Sequence, residues 1–131
     1  MVRQNVQLDS KRANSDLPGV QDVDPQEVHA KRSSLVVIDV RRPNEFSGEL
    51  GHIPGAKLIV LDTLEQNLET IPKDQLVVFV CLSGGRSARA CAFAQEHGFA
   101  QVFNLKGGMK AWNQLGYEVN FDPGDDDANE E

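Results

Sequence analysis

The stretch LVVFVCLSGGRS, residues 76–87, decides the fold, and the alanine-rich segment ARACAFA, residues 88–94, follows it directly. Its first five residues are all apolar, which is typical of a strand that is buried on both faces of a parallel sheet. The two glycines predict a tight loop, and the alanine-rich segment predicts a helix. The order of strand, loop and helix therefore places Cys81 at the carboxyl end of a strand, where open α/β sheets bind their ligands.

The loop after Cys81 has the composition of an anion site. The first N–H groups of a helix have no partners within the helix, and glycines allow further N–H groups to turn into the same concavity. Helix N-termini and neighbouring cations also lower the pKa of a thiol. We therefore predict that Cys81 is a nucleophilic thiolate. The predicted binding loop around it consists of Leu82, Ser83, Gly84, Gly85, Arg86 and Ser87. A structural alternative, a small buried hydrophobe at a strand end, is disfavoured by the glycines and the arginine that follow.

Length, composition and charge exclude several classes of protein. The 131 residues fit one domain, and an apolar content of 40% is that of an ordinary globular chain. The net charge is −7, but six acidic residues lie in the last ten, leaving about −1 for the rest of the chain. There is no basic patch for nucleic acid and no apolar stretch long enough for a membrane span or a signal peptide. We expect a cytoplasmic protein without nucleic-acid or membrane partners.

The two cysteines are too few for a disulfide scaffold or for a zinc site, so we expect neither a metal nor an organic cofactor. Cys91 shares a predicted helix face with Ser87, Ala90 and Ala94. A core thiol is therefore favoured over a resolving thiol that forms a disulfide with Cys81.

Turn residues and periodicity divide the chain into a flexible arm over residues 1–17, a domain over 18–121 and a disordered acidic tail over 122–131. Strands are predicted at 19–23, 35–38, 56–60, 76–80 and 101–105. Helices are predicted at 25–31, 61–71, 86–97 and 109–115, with a single helical turn at 43–46. This alternation predicts an α/β fold, a five-stranded, mostly parallel sheet with helices on both faces.

The apolar strands 35–38 and 76–80 are expected to lie side by side or nearly so. If they are parallel, their carboxyl ends bring Asp39 and Arg41 to the same rim as the cysteine loop. We interpret these two residues as an ion pair that supports the loop from behind, with Glu45 as a candidate partner. The alternative is that they shape the pocket itself.

Four motifs together resemble the rhodanese family of sulfurtransferases over about residues 20–119. They are IDVR at 38–41 with EF at 45–46, GHIPGA at 51–56, the loop at 81–87, and NLKGG at 104–108 with Trp112 and GY at 116–117. The resemblance implies a rhodanese-like fold with five parallel strands. It also implies that the loop cysteine accepts a sulfane sulfur from a donor and passes it to a nucleophilic acceptor. Trp112 either lines the mouth of the pocket or belongs to the core.

In this interpretation the Cys81 thiolate attacks the outer sulfur of a donor such as thiosulfate. The persulfide anion then rests against the loop N–H groups, with the forked donors of Arg86 suited to an oxyanion and Ser87 placed to donate to sulfur. Leu82 departs from many efficient thiosulfate-using relatives, which carry basic residues in the loop. One fewer positive charge weakens the capture of the thiosulfate dianion, so thiosulfate and a small-molecule or protein persulfide both stay open as the donor.

Two rival functions stay open. The phosphatases and arsenate reductases that share the fold have five residues between cysteine and arginine, whereas here there are four, which favours sulfur over a phosphoryl group. A sulfur carrier or partner-docking module with little turnover is the second rival, because an intact Cys81 and Arg86 do not exclude it.

Overall fold

A computed structural model of the chain describes residues 7–123 and shows one mixed sheet flanked by helices. The strands are β1 (Arg12–Ala13), β2 (Gln21–Val23), β3 (Val36–Asp39), β4 (Lys57–Leu58), β5 (Val77–Val80) and β6 (Val102–Leu105). The helices are α1 (Pro25–Lys31), α2 (Pro43–Phe46), α3 (Leu64–Asn67), α4 (Gly85–Glu96) and α5 (Gly108–Gln114). The sheet order is β1-β2-β6-β5-β3-β4, and every pair is parallel except β1 with β2. The predicted α/β class is confirmed.

The sheet separates the core into two layers, and the central strand β5 contributes side chains to both. Its residues alternate between the two faces, as they must in a strand. Val77 and Phe79 join one apolar cluster with α4, and Val78 and Val80 join the other with α1 and α5. The predicted helices on both faces are confirmed. Cys81 continues the alternation on the α4 side, which brings it next to the first turn of that helix.

The sheet has six strands rather than the predicted five, and the extra strand lies in the predicted flexible arm. Arg12 pairs with Asp22 in antiparallel register, and Leu8 is only 2% exposed. The Glu27 carboxylate of α1 accepts the N–H groups of Asp9 and Ser10. Within residues 7–17 the arm is therefore attached to the domain. Its polar, aperiodic sequence did not predict this, because the attachment depends on partners in α1 and β2.

Parts of two predicted segments lie outside the described residues. Residues 1–6 of the arm are not described, and neither is the acidic tail beyond Pro123. The domain boundaries at 18 and 121 therefore stay a prediction. Among residues 7–123, no helix is long and apolar enough to cross a membrane.

The single helix predicted over 61–71 is wrong. The segment consists of a 3-10 turn at Leu61–Thr63, the short α3, and a second 3-10 turn at Leu68–Thr70. Thr63 Oγ1 donates to the carbonyl of Val60, Asn67 Nδ2 donates to that of Thr63, and Thr70 Oγ1 donates to that of Asn67. Such side-chain bonds compete with the backbone ladder of a regular helix. The apolar spacing of three and four residues does not distinguish these turns from one continuous helix.

Candidate active site

The cysteine loop lies where parallel strands end, as predicted. β3 and β5 are neighbours with Asp39 paired to Val80, so the residues that follow both strands share one rim of the sheet. Cys81 comes directly after β5, and α4 begins four residues later at Gly85.

Amide and hydroxyl donors surround the Cys81 sulfur. Sγ accepts the N–H of Gly84 at 3.1 Å and the hydroxyl of Ser87 at 3.2 Å. Burial raises the pKa of the Cys81 thiol. Hydrogen bonds from the Ser87 hydroxyl and from the N–H groups of Ser87, Gly84 and Ser83 outweigh burial, so the pKa falls below its ordinary value. Gly84 has a φ of 112°, a conformation that side chains strongly disfavour, and this turns its N–H inward. The site favours a thiolate.

The carbonyls of the same loop point away from the sulfur, toward the N-terminus of α5. The N–H of Met109 donates to Cys81 O at 2.9 Å, and that of Lys110 donates to Leu82 O at 3.0 Å. A Cβ at residue 108 would lie 2.5 Å from each of these two carbonyl oxygens, so only glycine permits the approach. Helix α5 thus fixes the loop with its amides toward Cys81. In the sequence Gly108 is noticeable only as part of the NLKGG motif. Nothing in that motif indicates that residue 108 lies against the carbonyls of the cysteine loop.

The charge of Arg86 is shared with a carboxylate. Its Nη1 and Nη2 donate to the two carboxylate oxygens of Glu45, each at 2.9 Å. The hydrogen bond to Arg86 lowers the pKa of Glu45 to about 2, despite the opposing effect of partial burial. From the sequence, the guanidinium is expected to face an oxyanion. In this structure both of its terminal nitrogens are bound to Glu45 instead.

Asp39 and Arg41 form the predicted ion pair. Arg41 Nη2 lies 2.7 Å from Asp39 Oδ2, and both side chains are about 1% exposed. The same guanidinium donates to the backbone carbonyls of Glu45 and Gly51. Because Glu45 in turn binds Arg86, the pair supports the loop indirectly. The alternative, in which these residues shape the pocket, does not fit their burial.

A chain of polar side chains that sequence reasoning missed lies behind Ser87. The Ser87 hydroxyl is 2.5 Å from Asn104 Oδ1, and Asn104 Nδ2 donates to Asp22 Oδ1 at 2.9 Å. All three side chains are buried. A signal was present in the sequence, since Asn104 is the one polar residue of the buried strand β6.

A cleft of about 630 Å³ borders the outer side of the loop, between the N-terminal segment at residues 14–17 and Lys106. Ser83, Gly84 and Gly85 line it, but Cys81 does not and is only 1% exposed. Trp112 does not line it either. It is fully buried in the core and donates Nε1–H to Glu118 O, which supports the core interpretation over the pocket mouth.

The second cysteine is a core residue, as predicted. Cys91 is fully buried on α4 and forms no disulfide, and burial raises the pKa of its thiol. Within residues 7–123, no group of three or more His, Cys, Asp or Glu side chains is arranged to hold a metal ion.

Comparison with known proteins identifies the family of this chain. Residues 24–115 match the family description of the rhodanese-like domain. The chain belongs to the rhodanese family. A sulfurtransferase from Allochromatium vinosum is 36% identical to this rhodanese over 90 residues, covering 69% of this chain and 82% of the relative.

A second relative and a solved structure extend the comparison. The thiosulfate sulfurtransferase GlpE from Stutzerimonas stutzeri is 30% identical over 91 residues, covering 69% of this rhodanese and 82% of the relative. The crystal structure of a rhodanese-related protein from Thermoplasma volcanium superimposes with a TM-score of 0.72 at 25% identity. That superposition covers 77% of this rhodanese and 98% of the other chain. The predicted family resemblance is confirmed.

Proposed function

We propose that this rhodanese is a sulfurtransferase that moves a sulfane sulfur from thiosulfate or a persulfide donor to a thiophilic acceptor through a persulfide on Cys81. Two of its relatives are named sulfurtransferases. The observation that carries the proposal is the set of donors around Sγ, namely the Gly84 amide at 3.1 Å and the Ser87 hydroxyl at 3.2 Å. Such donors stabilise the anionic sulfur of the Cys81 thiolate, which is the nucleophile of the proposed reaction.

The proposed reaction has two steps. The Cys81 thiolate attacks the outer sulfur of the donor. The donor's S–S bond breaks with its electron pair leaving on sulfite, or on a thiolate when the donor is a persulfide. An acceptor nucleophile then attacks the terminal sulfur of the Cys81 persulfide, and the Cys81 thiolate leaves. Because α5 already fixes the loop amides toward the sulfur, no backbone rearrangement accompanies the movement of charge.

The charge of the loop bears on the choice of donor. Leu82 is apolar, and Arg86 is the only cationic side chain among residues 81–87. Since Glu45 already neutralises that charge, a dianion such as thiosulfate finds little attraction at the loop. We infer that a persulfide, carried by a small molecule or by a protein, is the better donor.

The test is intact-mass spectrometry of the full chain after incubation with thiosulfate or with a polysulfide. We expect a gain of about 32 Da, one sulfur atom, in the wild type and none in Cys81→Ser. Cys91→Ala is the matched control, because this buried thiol has a raised pKa and lies outside the loop of residues 81–87. A gain that persists in Cys81→Ser overturns the proposal, as does phosphate-ester hydrolysis without sulfur loading.

Turnover separates an enzyme from a sulfur carrier. We expect the loaded wild type to release its extra sulfur to cyanide or to a thiol repeatedly under excess donor. A single release without further cycles would identify a carrier module that serves one partner.

A further inference from the structure

The Ser87 hydroxyl has one proton and two neighbours that can accept it. Cys81 Sγ lies 3.2 Å from Oγ, and Asn104 Oδ1 lies 2.5 Å from it. A serine hydroxyl donates one hydrogen bond only. When Cys81 is a thiolate, both neighbours are acceptors, and they compete for the same proton.

The orientation of Asn104 is fixed by the next residue in the chain of bonds. Asn104 Nδ2 donates to Asp22 Oδ1 at 2.9 Å, and the same oxygen accepts Asn14 Nδ2 at 2.9 Å. An ionised carboxylate only accepts hydrogen bonds, so the amide nitrogen of Asn104 must face it and the amide oxygen must face Ser87. Asn104 is 2% exposed and Asp22 is 6% exposed, although both contribute to the wall of the cleft beside the loop.

We propose that Asn104, held in place by Asp22, is a positioning residue that draws the Ser87 hydroxyl proton away from Cys81. Among the described residues, the hydrogen bonds of Asn104 connect it to the sulfur only through the Ser87 hydroxyl. Its amide nitrogen also lies close to Gly84, so the Ser87→Ala background is needed to isolate the route through the hydroxyl.

The arrangement favours the sulfur-loaded protein, a consequence that rests on the proposed function. In the free thiolate the negative charge is on Sγ. When the Ser87 hydroxyl donates its hydrogen bond to Sγ, the buried amide oxygen of Asn104 loses the hydrogen bond from Ser87. In the persulfide Sγ is uncharged and the charge is on the outer sulfur. Ser87 can then donate its hydrogen bond to Asn104, because Sγ no longer carries a charge that needs this donor. The competition thus penalises the thiolate and is relieved by loading.

Several charged or titratable groups act near the loop and have to be held constant in a test. Arg86 and Cys91 belong to α4, and both interact electrostatically with Cys81. The ion pair of Asp39 with Arg41 lies on the β3 side of the loop, and Glu45 forms an ion pair with Arg86. Asp22 comes from β2. Substitution of Asn104 or Ser87 removes none of these groups.

The experiment measures the rate of iodoacetamide alkylation of Cys81 against pH in a Cys91→Ala background. Four proteins are compared: the background itself, Asn104→Ala, Ser87→Ala and the double variant. We expect Asn104→Ala to lower the apparent pKa of Cys81 by about one unit, because the Ser87 hydroxyl then donates its hydrogen bond to the thiolate alone. Ser87→Ala should raise the apparent pKa, and the double variant should match Ser87→Ala.

Two results overturn the proposal. One is an unchanged or raised apparent pKa in Asn104→Ala. The other is a shift from Asn104→Ala that persists when Ser87 is already replaced by alanine, because Asn104 would then act by another route. Thermal melts followed by circular dichroism show whether each variant is folded.

Asp22→Ala, which removes the carboxylate oxygen that holds Asn104, gives a second route if Asn104→Ala does not fold. Loss of the carboxylate charge lowers the pKa of Cys81 in any background, whereas release of Asn104 lowers it only when Ser87 is present. We expect a larger drop when Ser87 is intact than in the Ser87→Ala background, and equal drops overturn the proposal. Both titrations use unloaded protein without a donor, so their outcome is independent of whether sulfur transfer occurs.

Discussion

Glu45 joins two positively charged side chains that are far apart in the sequence. Its carboxylate binds Arg86, and its backbone carbonyl accepts a hydrogen bond from Arg41. The loop cation is therefore balanced before any substrate arrives. This contact supports the proposed preference for persulfide donors over a dianion such as thiosulfate.

The Glu45–Arg86 pair makes stability depend on pH in a defined range. The pKa of Glu45 is about 2 in the folded protein against an ordinary value of 4.5, so its contribution is complete above pH 4.5 and is lost as the pH falls toward 2. We expect Glu45→Gln to lower the free energy of unfolding by about 1 kcal/mol near neutral pH, because solvent screens a partly exposed pair. Urea unfolding should show that this difference shrinks between pH 4.5 and pH 2.

Glu49→Gln is the control for that prediction. Glu49 is exposed and has no ion pair among the described residues 7–123, so its substitution should leave the stability at neutral pH within about 0.5 kcal/mol. A Glu45→Gln deficit that does not change with pH would contradict the ionic origin of the effect.

The contacts that were predicted at the residue scale join partners that are close in sequence. Cys81 and the loop amides lie within seven residues, and Asp39 and Arg41 are two residues apart, so local spacing was sufficient. The contact of Glu45 with Arg86 spans 41 residues, and that of Ser87 with Asn104 spans 17. Such pairings depend on which strands are neighbours and on rotamers, and neither is readable from spacing.

At the scale of elements, the approach of α5 to the cysteine loop is the decisive packing event. Two backbone hydrogen bonds join the start of α5 to the carbonyls of Cys81 and Leu82. The approach is possible only because residue 108 has no Cβ. The NLKGG motif therefore contributes to the site through its backbone as well as through Asn104.

Gly108→Ala tests this packing. Its Cβ would meet two backbone oxygens at 2.5 Å, and backbone cannot move aside as a flexible side chain can. We expect it to lower the free energy of unfolding by about 2 kcal/mol more than Gly116→Ala. We also expect slower alkylation of Cys81 at neutral pH, because the loop amides are displaced.

The matched control also has a positive φ but lies in open space. Gly116 has a φ of 77°, and a Cβ there would meet nothing within 4 Å, so alanine adds only the strain of a left-handed residue, about 1–2 kcal/mol. Equal losses for the two variants would show that the contact with the loop is unimportant.

Elements were predictable where apolar periodicity was strong, as in β5 and α4. They were not predictable where side chains replaced backbone partners, as at Thr63, Asn67 and Thr70 in the divided helix. The strand β1 was not predicted, for a related reason. Two residues have no periodicity, and their pairing depends on the edge that β2 presents.

At the scale of the whole molecule, the N-terminal segment extends the domain beyond the family match, which begins at residue 24. Residues 14–17 form one side of the cleft beside the loop, and Leu8 packs into the α1 and α5 side of the core. The segment thus adds to both the core and the surroundings of the site.

Leu8→Ala distinguishes an attached segment from a free arm. Because Leu8 is 2% exposed, we expect a loss of about 2–4 kcal/mol in the free energy of unfolding. Leu115→Ala is the control, since Leu115 is 42% exposed and its truncation should cost less than about 0.5 kcal/mol. Chemical denaturation measures both variants. A negligible loss at Leu8 would mean that the segment is free in solution.

The bonding between α5 and the loop has a consequence for how such a site can diversify. The Cys81 sulfur is bound by a loop amide and by the Ser87 hydroxyl, while the side chains of Leu82 and Ser83 make none of the hydrogen bonds to the sulfur. Apolar, polar or basic residues can therefore replace one another at those two positions and change the preferred substrate. The groups that stabilise the thiolate stay the same in such variants.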